Sequence, residues 1–385
     1  MRIFKKIAQW FVGILVVLNI AIVATGHTYL YKGIANTYLK GRSGPDIDEY
    51  KIFANREVKV GEPQPIANGK DYNIKKIDVA NIAQYETVAY LVIKDDSVRY
   101  EQYWDNYNDN SVSNSFSMGK SFTGLLVGCA IQDGYIKTLD EPVKNYLPEF
   151  NDKEDGSFTV TIRHLLTMSS GINFDEDYVN PFAYPAKAYY GDDIRELTLS
   201  YKAEETPGKV FKYLSGNSEL LGMILEKATG KKLSDYMSER LWIPMGAKNT
   251  AFWCLDHEGG MEKAYCCFNS NARDFSRFGL LMLHHGNWKG KQLINEFYIS
   301  DLMKPAVLKT QDGLINKEYG YHWWMMDYRG LHITYARGIL GQYVIVIPEK
   351  NMVVVRLGHK RDKDKVGDHP KDLFVYIDKA LEMYP

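Results

Sequence analysis

The chain has 385 residues, of which 45% are hydrophobic and 25% are charged, a globular composition with enough length to bury a large core. Its 47 Lys and Arg residues nearly balance 48 Asp and Glu residues, which gives a formal net charge of -1. This balance excludes a global field that attracts nucleic acid, so no nucleic-acid partner is expected.

A nearly continuous run of apolar residues spans positions 7–26 and is interrupted by the polar residues Gln9 and Asn19. About 20 apolar residues cross a bilayer as a helix, so this run is long enough for a membrane anchor. Three basic residues precede it: Arg2, Lys5 and Lys6. Basic flanks stay in the cytoplasm, which places everything after Gly26 outside, on the periplasmic side of the inner membrane in a Gram-negative cell. A cleaved signal peptide is the alternative, because Ala24 and Gly26 are small enough for a peptidase site.

After residue 26, the chain divides into a stretch with weak hydrophobic periodicity and a longer one with clear strand and helix patterns. We predict three segments: an anchor or signal segment at 1–26, a juxtamembrane linker or strap at 27–78, and the main domain at 79–385. The first strand patterns lie at 87–94 and 98–104, and Asp95, Asp96 and Ser97 between them predict a hairpin.

The middle of the chain, from about residue 125 to about residue 300, is predicted to be mainly helical. A helix over 117–133 stops at Gly134. Further helices are predicted at 162–168, 217–229 and 273–284. Strand patterns return at 320–326, 332–336, 342–347 and 352–357, and a closing helix runs from about residue 370 to about residue 383.

Strands at both chain ends around a helical middle predict an α/β (α+β) fold. One antiparallel sheet is built from both ends and flanked by helices, and a mainly helical lobe is inserted. A cleft between a sheet edge and such a lobe is a natural place for a site. Four tyrosines in the loop region 173–198 are predicted to line it: Tyr178, Tyr184, Tyr189 and Tyr190.

Ser117 and Lys120 stand three residues apart at the start of the helix predicted over 117–133. On a helix their side chains share a face. A lysine made partly neutral by its surroundings can take the proton of a serine hydroxyl, and a helix start favours negative charge on that oxygen. The alternative interpretation is a polar helix start without catalytic function.

Two later stretches complete a candidate catalytic site. Tyr213 precedes a predicted helix and can relay protons. The alternative interpretation is that Tyr213 packs on the domain and that Ser215 or Asn217 caps the helix. Arg337 and Gly338 end a predicted strand, where Arg337 offers a cation to a substrate carboxylate and Gly338 leaves room for a substrate backbone. The N–H groups of Ile339 and Ser117 can form an oxyanion hole. A surface arginine and a turn glycine are the alternative.

The four cysteines are too few for a disulfide framework. Pairing of Cys254 with Cys266 or Cys267, and buried free thiols, are both open. No His or Asp stands at ligand spacing to the cysteine pair, so no metal or other cofactor is predicted. His284 and His285 precede Gly286 and indicate a helix end.

The order Ser-x-x-Lys, Tyr-x-Ser, basic residue–Gly resembles the serine β-lactamase and penicillin-binding superfamily. The more specific similarity is to its class C-like branch, which includes the 6-aminohexanoate-dimer hydrolases and related esterases. Five further stretches between about residue 85 and about residue 357 also resemble that branch: 161–171, 221–230, 242–247, 272–279 and 341–342.

The resemblance implies a role for each site residue. Ser117 becomes the acylated nucleophile, Lys120 its general-base partner and Tyr213 the proton relay that also helps activate the deacylating water. Ser215 stands where class C β-lactamases carry an amide side chain that holds the substrate. Arg337 stands where β-lactamases carry Lys and the amide hydrolases and esterases often carry His. His164, outside the catalytic motifs, is interpreted as a buried packing or hydrogen-bonding residue.

These departures favour an extracytoplasmic amidase or esterase acting on a small-molecule or short-peptide substrate. A β-lactamase or D,D-peptidase acting on cell-wall peptides is the second hypothesis. A non-catalytic ligand-binding sensor of the same fold is the third, and the presence of both Lys120 and Tyr213 argues against it.

Overall fold

The computed structural model describes residues 2–69, 79–150 and 158–385. The described helices are α1 (Arg2–Ala24), α2 (Tyr29–Asn36), α3 (Ala80–Ala83), α4 (Met118–Gln132), α5 (Ile162–Leu166), α6 (Tyr184–Tyr190), α7 (Ile194–Leu199), α8 (Ser215–Thr229), α9 (Leu233–Met237), α10 (Ala272–Leu283), α11 (Glu296–Leu302) and α12 (Lys371–Met383). The described strands are β1 (Asn55–Val58), β2 (Ala67–Asn68), β3 (Thr87–Lys94), β4 (Ser97–Tyr103), β5 (Ser113–Asn114), β6 (Ala251–Cys254), β7 (Phe268–Ser270), β8 (Asn287–Trp288), β9 (Lys291–Gln292), β10 (Trp324–Tyr328), β11 (Leu331–Gly338), β12 (Gln342–Ile347), β13 (Met352–Gly358), β14 (Lys365–Val366) and β15 (His369–Pro370).

The predicted sheet from both chain ends is confirmed. Its seven strands follow the order β10-β11-β12-β13-β3-β4-β2, and all neighbours are antiparallel except β2 and β4. The central strands β12, β13 and β3 are apolar on both faces because helices cover both: α10 on one side and α12 on the other. Gly279 lets α10 lie close to the sheet, since a Cβ there would come within 2.5 Å of Val353.

The inserted helical part packs around α4, whose residues from Met118 to Ala130 are all buried. α8 lies against α4 and α5 lies against α8, and Phe122 stacks on Phe278 of α10 with 4.0 Å between ring centroids. A helix that is apolar on every side is stable only in such surroundings. The stretch from Ser117 to Lys120 therefore begins a helix that is buried between the sheet and the helical lobe.

A second sheet, in the order β1-β6-β7-β5, was not expected from the sequence. Its strands have two to four residues, too few for a periodic pattern. β1 comes from the predicted strap, so antiparallel pairing with β6 fixes residues 55–58 to the main body. Part of the predicted strap, residues 70–78, lies outside the described residues.

The amino-terminal run forms α1, and Ile3–Ala24 is the one helix in the described part of the chain that is long and apolar enough to cross a membrane. A signal sequence passes the same test of length and composition. Tyr31 of α2 donates a hydrogen bond to Asn19 of α1 at 2.7 Å, so the two helices are in contact.

The predicted strand over 320–326 is wrong in its first half. Residues 320–323 turn, with His322 at a φ of 62°, and the strand begins at Trp324. The turn exists because the His322 side chain is buried: its Nδ1 donates to the Leu166 carbonyl at 2.9 Å. A buried imidazole must find polar partners, and here that requirement outweighs the local strand preference.

Of the two alternatives for the cysteines, pairing of Cys254 with a later cysteine is wrong. Cys266 and Cys267 form a disulfide with each other, whereas Cys129 and Cys254 are buried free thiols. Burial raises the pKa of both free thiols to about 12, so both stay protonated near neutral pH. The expectation that some cysteines are buried free thiols is correct for these two.

Candidate active site

The start of α4 holds the candidate nucleophile and its base. Lys120 is 1% exposed, and its Nζ donates hydrogen bonds to Ser117 Oγ at 3.1 Å and to the Tyr265 carbonyl at 2.9 Å. Phe116, directly before the serine, has a φ of 45°, an uncommon conformation for a residue with a side chain. This tight turn presents the half-buried Ser117 at the first turn of the helix, on the same side as Lys120.

Tyr213 lies beside this pair, as the sequence predicted. The Lys120 ammonium is 5.1 Å from the centroid of the Tyr213 ring, within the range of a cation–π contact. The ring is fixed by an edge contact with Tyr319 and a tilted contact with Trp324, at centroid distances of 5.9 Å and 5.5 Å. The three residues predicted to be catalytic are therefore neighbours although almost a hundred positions separate the third from the others.

Arg337, Gly338 and Ile339 stand at the end of β11, facing the start of α4. Arg337 donates to the Asp368 carbonyl at 2.6 Å, and its guanidinium carbon lies 3.7 Å from the centroid of Trp324. A Cβ on Gly338 would lie 2.2 Å from the carbonyl oxygen of Ser115. Glycine is thus required by the approach of β11 to the loop before Ser117, a constraint that the sequence did not indicate.

Ser215, predicted to bind the substrate, contacts a carboxylate of the protein in the structure. It is buried, and its hydroxyl and backbone N–H both donate to the carboxylate of Glu176, at 2.5 Å and 2.7 Å. The helix begins at Ser215, and neither Ser215 nor Asn217 caps it. The Glu176 carboxylate takes the place of a cap, accepting an N–H that the helix start leaves unpaired. In this conformation Ser215 offers no free hydroxyl hydrogen to a substrate amide.

Glu176 is a site residue that sequence reasoning missed. Burial raises the pKa of its carboxyl, while the Lys120 ammonium and the hydrogen bonds from Ser215 oppose that shift. Tyr178 also donates to it, at 2.8 Å. The available signal was weak: an acidic triplet beside Tyr178 in the loop already predicted to line the cleft.

Two histidines near the site have structural contacts. His322 is buried, accepts from Ser218 Oγ through Nε2 at 2.8 Å, and has its pKa lowered to about 3, mainly by burial. His164 is half-buried and accepts from the Thr161 N–H at 3.2 Å, closing the capping box of α5. The predicted hydrogen bonding of His164 is therefore confirmed, whereas the side chain is half-buried and not buried as predicted. His284 follows the last residue of α10, which confirms the predicted helix end.

Two cavities meet at Ser117. The larger has a volume of about 920 Å³ and is lined by Tyr213, Trp324, Arg337 and Gly338, among others. The smaller, of about 410 Å³, is lined mainly by apolar side chains of α2, α6 and the loop before α6. Three of the four predicted tyrosines line a cavity: Tyr178, Tyr189 and Tyr190. The fourth, Tyr184, is buried and contacts Thr198.

No group of three or more His, Cys, Asp or Glu side chains in the described ranges is arranged to hold a metal ion. What the site presents instead is a hydroxyl, a buried amine in hydrogen-bond contact with it, and a phenol beside the amine. Such a set is suited to nucleophilic attack with proton transfer.

The fold is shared with solved structures of other proteins. A solved structure from Bacillus anthracis, assigned as a 6-aminohexanoate-dimer hydrolase, superposes with a TM-score of 0.73 at 21% identity, over 87% of this chain and 91% of that chain. The octameric penicillin-binding protein homologue from Pyrococcus abyssi gives a TM-score of 0.60 at 20% identity, over 79% of this chain and 75% of that one. The architecture is therefore that of the serine β-lactamases and penicillin-binding proteins.

Sequence comparison gives the family. The family model described as Beta-lactamase matches residues 78–376, and the chain belongs to that family. A 6-aminohexanoate-dimer hydrolase from Paenarthrobacter ureafaciens is 26% identical over 316 residues, which are 77% of this chain and 79% of the relative. The protein is a serine hydrolase of this fold.

Proposed function

We propose that the protein is a membrane-anchored serine hydrolase that cleaves an amide or ester bond through an acyl-enzyme on Ser117, with its catalytic domain outside the cytoplasm. The observation that carries the proposal is the 3.1 Å contact between Lys120 Nζ and Ser117 Oγ, made by a lysine that is almost fully buried. A hydroxyl needs a base within hydrogen-bond reach to become a nucleophile, and this contact supplies one.

The proposed reaction has two steps. Ser117 Oγ attacks the substrate carbonyl carbon, its proton passes to Nζ of Lys120, and Tyr213 gives its proton to the leaving nitrogen or oxygen. Lys120 then returns a proton to Tyr213. In the second step a water molecule attacks the acyl carbon, the Tyr213–Lys120 pair accepts its proton, and a proton returns to Ser117 as the acid leaves.

The remaining residues support this reaction in our proposal. The N–H groups of Ser117 and Ile339 hold the oxyanion, since both residues line the same cavity. Arg337 binds a carboxylate of the substrate from the wall formed by β11. Glu176 orients Ser215 and Tyr178 at the edge of the site.

The relative from Paenarthrobacter ureafaciens favours a short linear amide as one substrate class. The arginine at position 337, where the resemblance places Lys in β-lactamases, favours the amidase and esterase hypothesis over β-lactam chemistry. Parallel assays on nitrocefin, p-nitrophenyl esters, short linear amides and D-Ala-D-Ala peptides separate these hypotheses. Covalent labelling by fluorescent penicillin without ester or amide turnover would favour the penicillin-binding alternative.

A fluorophosphonate probe tests the nucleophile directly. We expect the wild-type chain to be labelled and Ser117→Ala to be unlabelled, because the probe needs an activated hydroxyl. Ser43→Ala is the matched control, since Ser43 lines both cavities but has no lysine donating to it in the structure. Persistent labelling of Ser117→Ala, or loss of labelling in Ser43→Ala alone, would contradict the assignment.

A further inference from the structure

The smaller cavity at Ser117 is an apolar groove between the juxtamembrane helix α2 and the catalytic part of the chain. One wall consists of Leu30, Ile34 and Tyr38, and the opposite wall includes Val179 and Ala186. Its volume of about 410 Å³ falls within the range of small-molecule sites. The groove therefore has the size and chemistry to hold an apolar chain whose end reaches the candidate nucleophile.

The groove is built by the membrane-proximal segment. Tyr29 donates to the Pro181 carbonyl at 3.0 Å, and Gly33 packs against the ring of Tyr190, where a Cβ would lie only 3.3 Å from the ring. α2 starts five positions after α1 ends. These contacts hold α2 against α6 and the loop before it, and the groove lined by α2 also reaches Ser117.

The outer end of the groove exposes apolar side chains. Val179 is 91% exposed and Tyr38 is 70% exposed, and both line the groove. Leu39 and Phe182, their close neighbours in the sequence, are also exposed. Tyr38 and Leu39 belong to the segment that follows α1, and Val179 and Phe182 belong to the loop before α6. An exposed apolar patch of this kind beside an apolar groove is suited to contact with lipid rather than with water.

We propose that the substrate is an amphiphile of the membrane surface whose acyl chain enters this groove. The scissile carbonyl then lies at Ser117, where the two cavities meet, and the polar remainder occupies the larger cavity beside Arg337. This inference rests on the proposed acyl-enzyme function and names its substrate class. Ser117 takes the acyl group from the amphiphile, the alcohol or amine leaves, and water releases the fatty acid.

The first test compares p-nitrophenyl acetate, butyrate and octanoate with the full chain in nanodiscs. Each buried methylene adds binding free energy, so kcat/KM should rise by about tenfold or more from butyrate to octanoate. Ala186→Trp fills the groove and should remove this rise while acetate hydrolysis stays. Ala67→Trp, at an exposed alanine that lines neither cavity, should behave as the wild type. An equal response to chain length in both variants would overturn the inference.

A second variant guards against a folding defect in Ala186→Trp. Ile34 is 41% exposed, so Ile34→Glu places a charge in the groove without disturbing the core. We expect about a tenfold loss with octanoate and unchanged acetate hydrolysis. Ile315→Glu, at an exposed isoleucine outside both cavities, is its control and should leave both rates unchanged.

Binding without turnover separates this inference from the proposed function. A dansyl-labelled fatty acid should bind to Ser117→Ala and bind at least about tenfold more weakly to Ser117→Ala combined with Ala186→Trp. If the fatty acid binds but no ester or amide is hydrolysed, the proposed acyl-enzyme function is wrong and the groove remains a binding site for an acyl chain. If esters are hydrolysed without dependence on chain length, the proposed function stands and the inference about the groove is wrong.

The membrane source is tested in proteoliposomes. A long-chain ester placed in the same vesicle as the protein should be hydrolysed at least about tenfold faster than the same ester in separate vesicles, because the shared surface raises its effective concentration. Equal rates would contradict the proposal that the substrate is taken from the membrane and would indicate that the amphiphile is captured from water.

Discussion

At the scale of single residues, His322 shows how burial links the candidate site to stability. Its ring is buried, with its nitrogens bonded to the Leu166 carbonyl and to Ser218, and its backbone carbonyl accepts from Ser121 of α4. The ammonium of Lys120 adds to the burial that lowers the pKa of His322 to about 3. The folded state therefore holds this imidazole neutral and uses it to join α4, α5 and α8.

This depressed pKa predicts a pH dependence of stability. Between the ordinary histidine pKa of 6.5 and about 3, the unfolded chain binds a proton at position 322 and the folded chain does not. Stability should therefore fall as the pH drops through this window, by up to about 5 kcal/mol from this group alone. Urea unfolding of the full chain in detergent between pH 7 and pH 4 measures the slope.

The variant His322→Gln should be less stable at neutral pH, by roughly 1–3 kcal/mol, because it loses buried hydrogen bonds. It should also show a shallower decline with falling pH than the wild type. His285→Gln is the control. The ring of His285 is exposed, so we expect this substitution to leave the slope unchanged. A wild-type slope in His322→Gln would show that other groups cause the acid sensitivity.

Single residues also mark the limit of what the sequence predicted about the site. Ser117, Lys120 and Tyr213 follow a motif order, so their meeting could be predicted from their types and spacing. Glu176 could not, because its contact with Ser215 depends on how a loop without periodic pattern folds back on α8. Residues that act through loop geometry leave little trace in local sequence.

At the scale of elements, the end of β11 and the start of α4 form one unit. Gly338 faces the carbonyl of Ser115, which leaves no room for a side chain. Gly338→Ala should push the strand end away from the nucleophile, lower stability by about 1–3 kcal/mol and reduce kcat about tenfold or more. Thermal unfolding and ester kinetics measure the two effects.

The matched control for this change is Gly44→Ala, on another wall of the same cavity. A Cβ at Gly44 has no neighbour within 4 Å, so an added methyl group meets open space. We expect wild-type stability and kcat from it. If both alanine variants were equally impaired, contact with Ser115 would not be the cause.

Elements were predictable where a long pattern defines them. The runs that form β3, β12 and β13 are mostly apolar because helices cover both faces of the sheet. α10 shows a clear helical period that ends shortly before Gly286. The short strands of the second sheet lack such a pattern, since their pairing is set by distant partners. The turn at residues 320–323 likewise depends on a partner in α5, Leu166.

At the scale of the whole molecule, the proposed substrate passes from the membrane around α1 through the groove beside α2 to the catalytic centre at Ser117. α1 carries basic residues only at its amino end, and α2 follows it almost directly and forms a wall of the groove. The orientation set by those charges decides on which side of the membrane the substrate is met. Orientation is thus as much a part of the proposed function as the site itself.

A topology experiment tests this orientation. Alkaline phosphatase fused after Pro385 should be active, because the enzyme folds only outside the cytoplasm, whereas a green fluorescent protein fused at the same point should be dark. Replacing Arg2, Lys5 and Lys6 with Glu should reverse or abolish both signals, since positive charge holds the amino end inside. Replacing Lys231, Lys289 and Lys291, three basic residues far from α1 in the sequence, with Glu should change neither signal. If the wild-type phosphatase fusion were inactive and the wild-type fluorescent fusion were bright, the catalytic domain would lie in the cytoplasm. The groove would then face lipid of the inner leaflet.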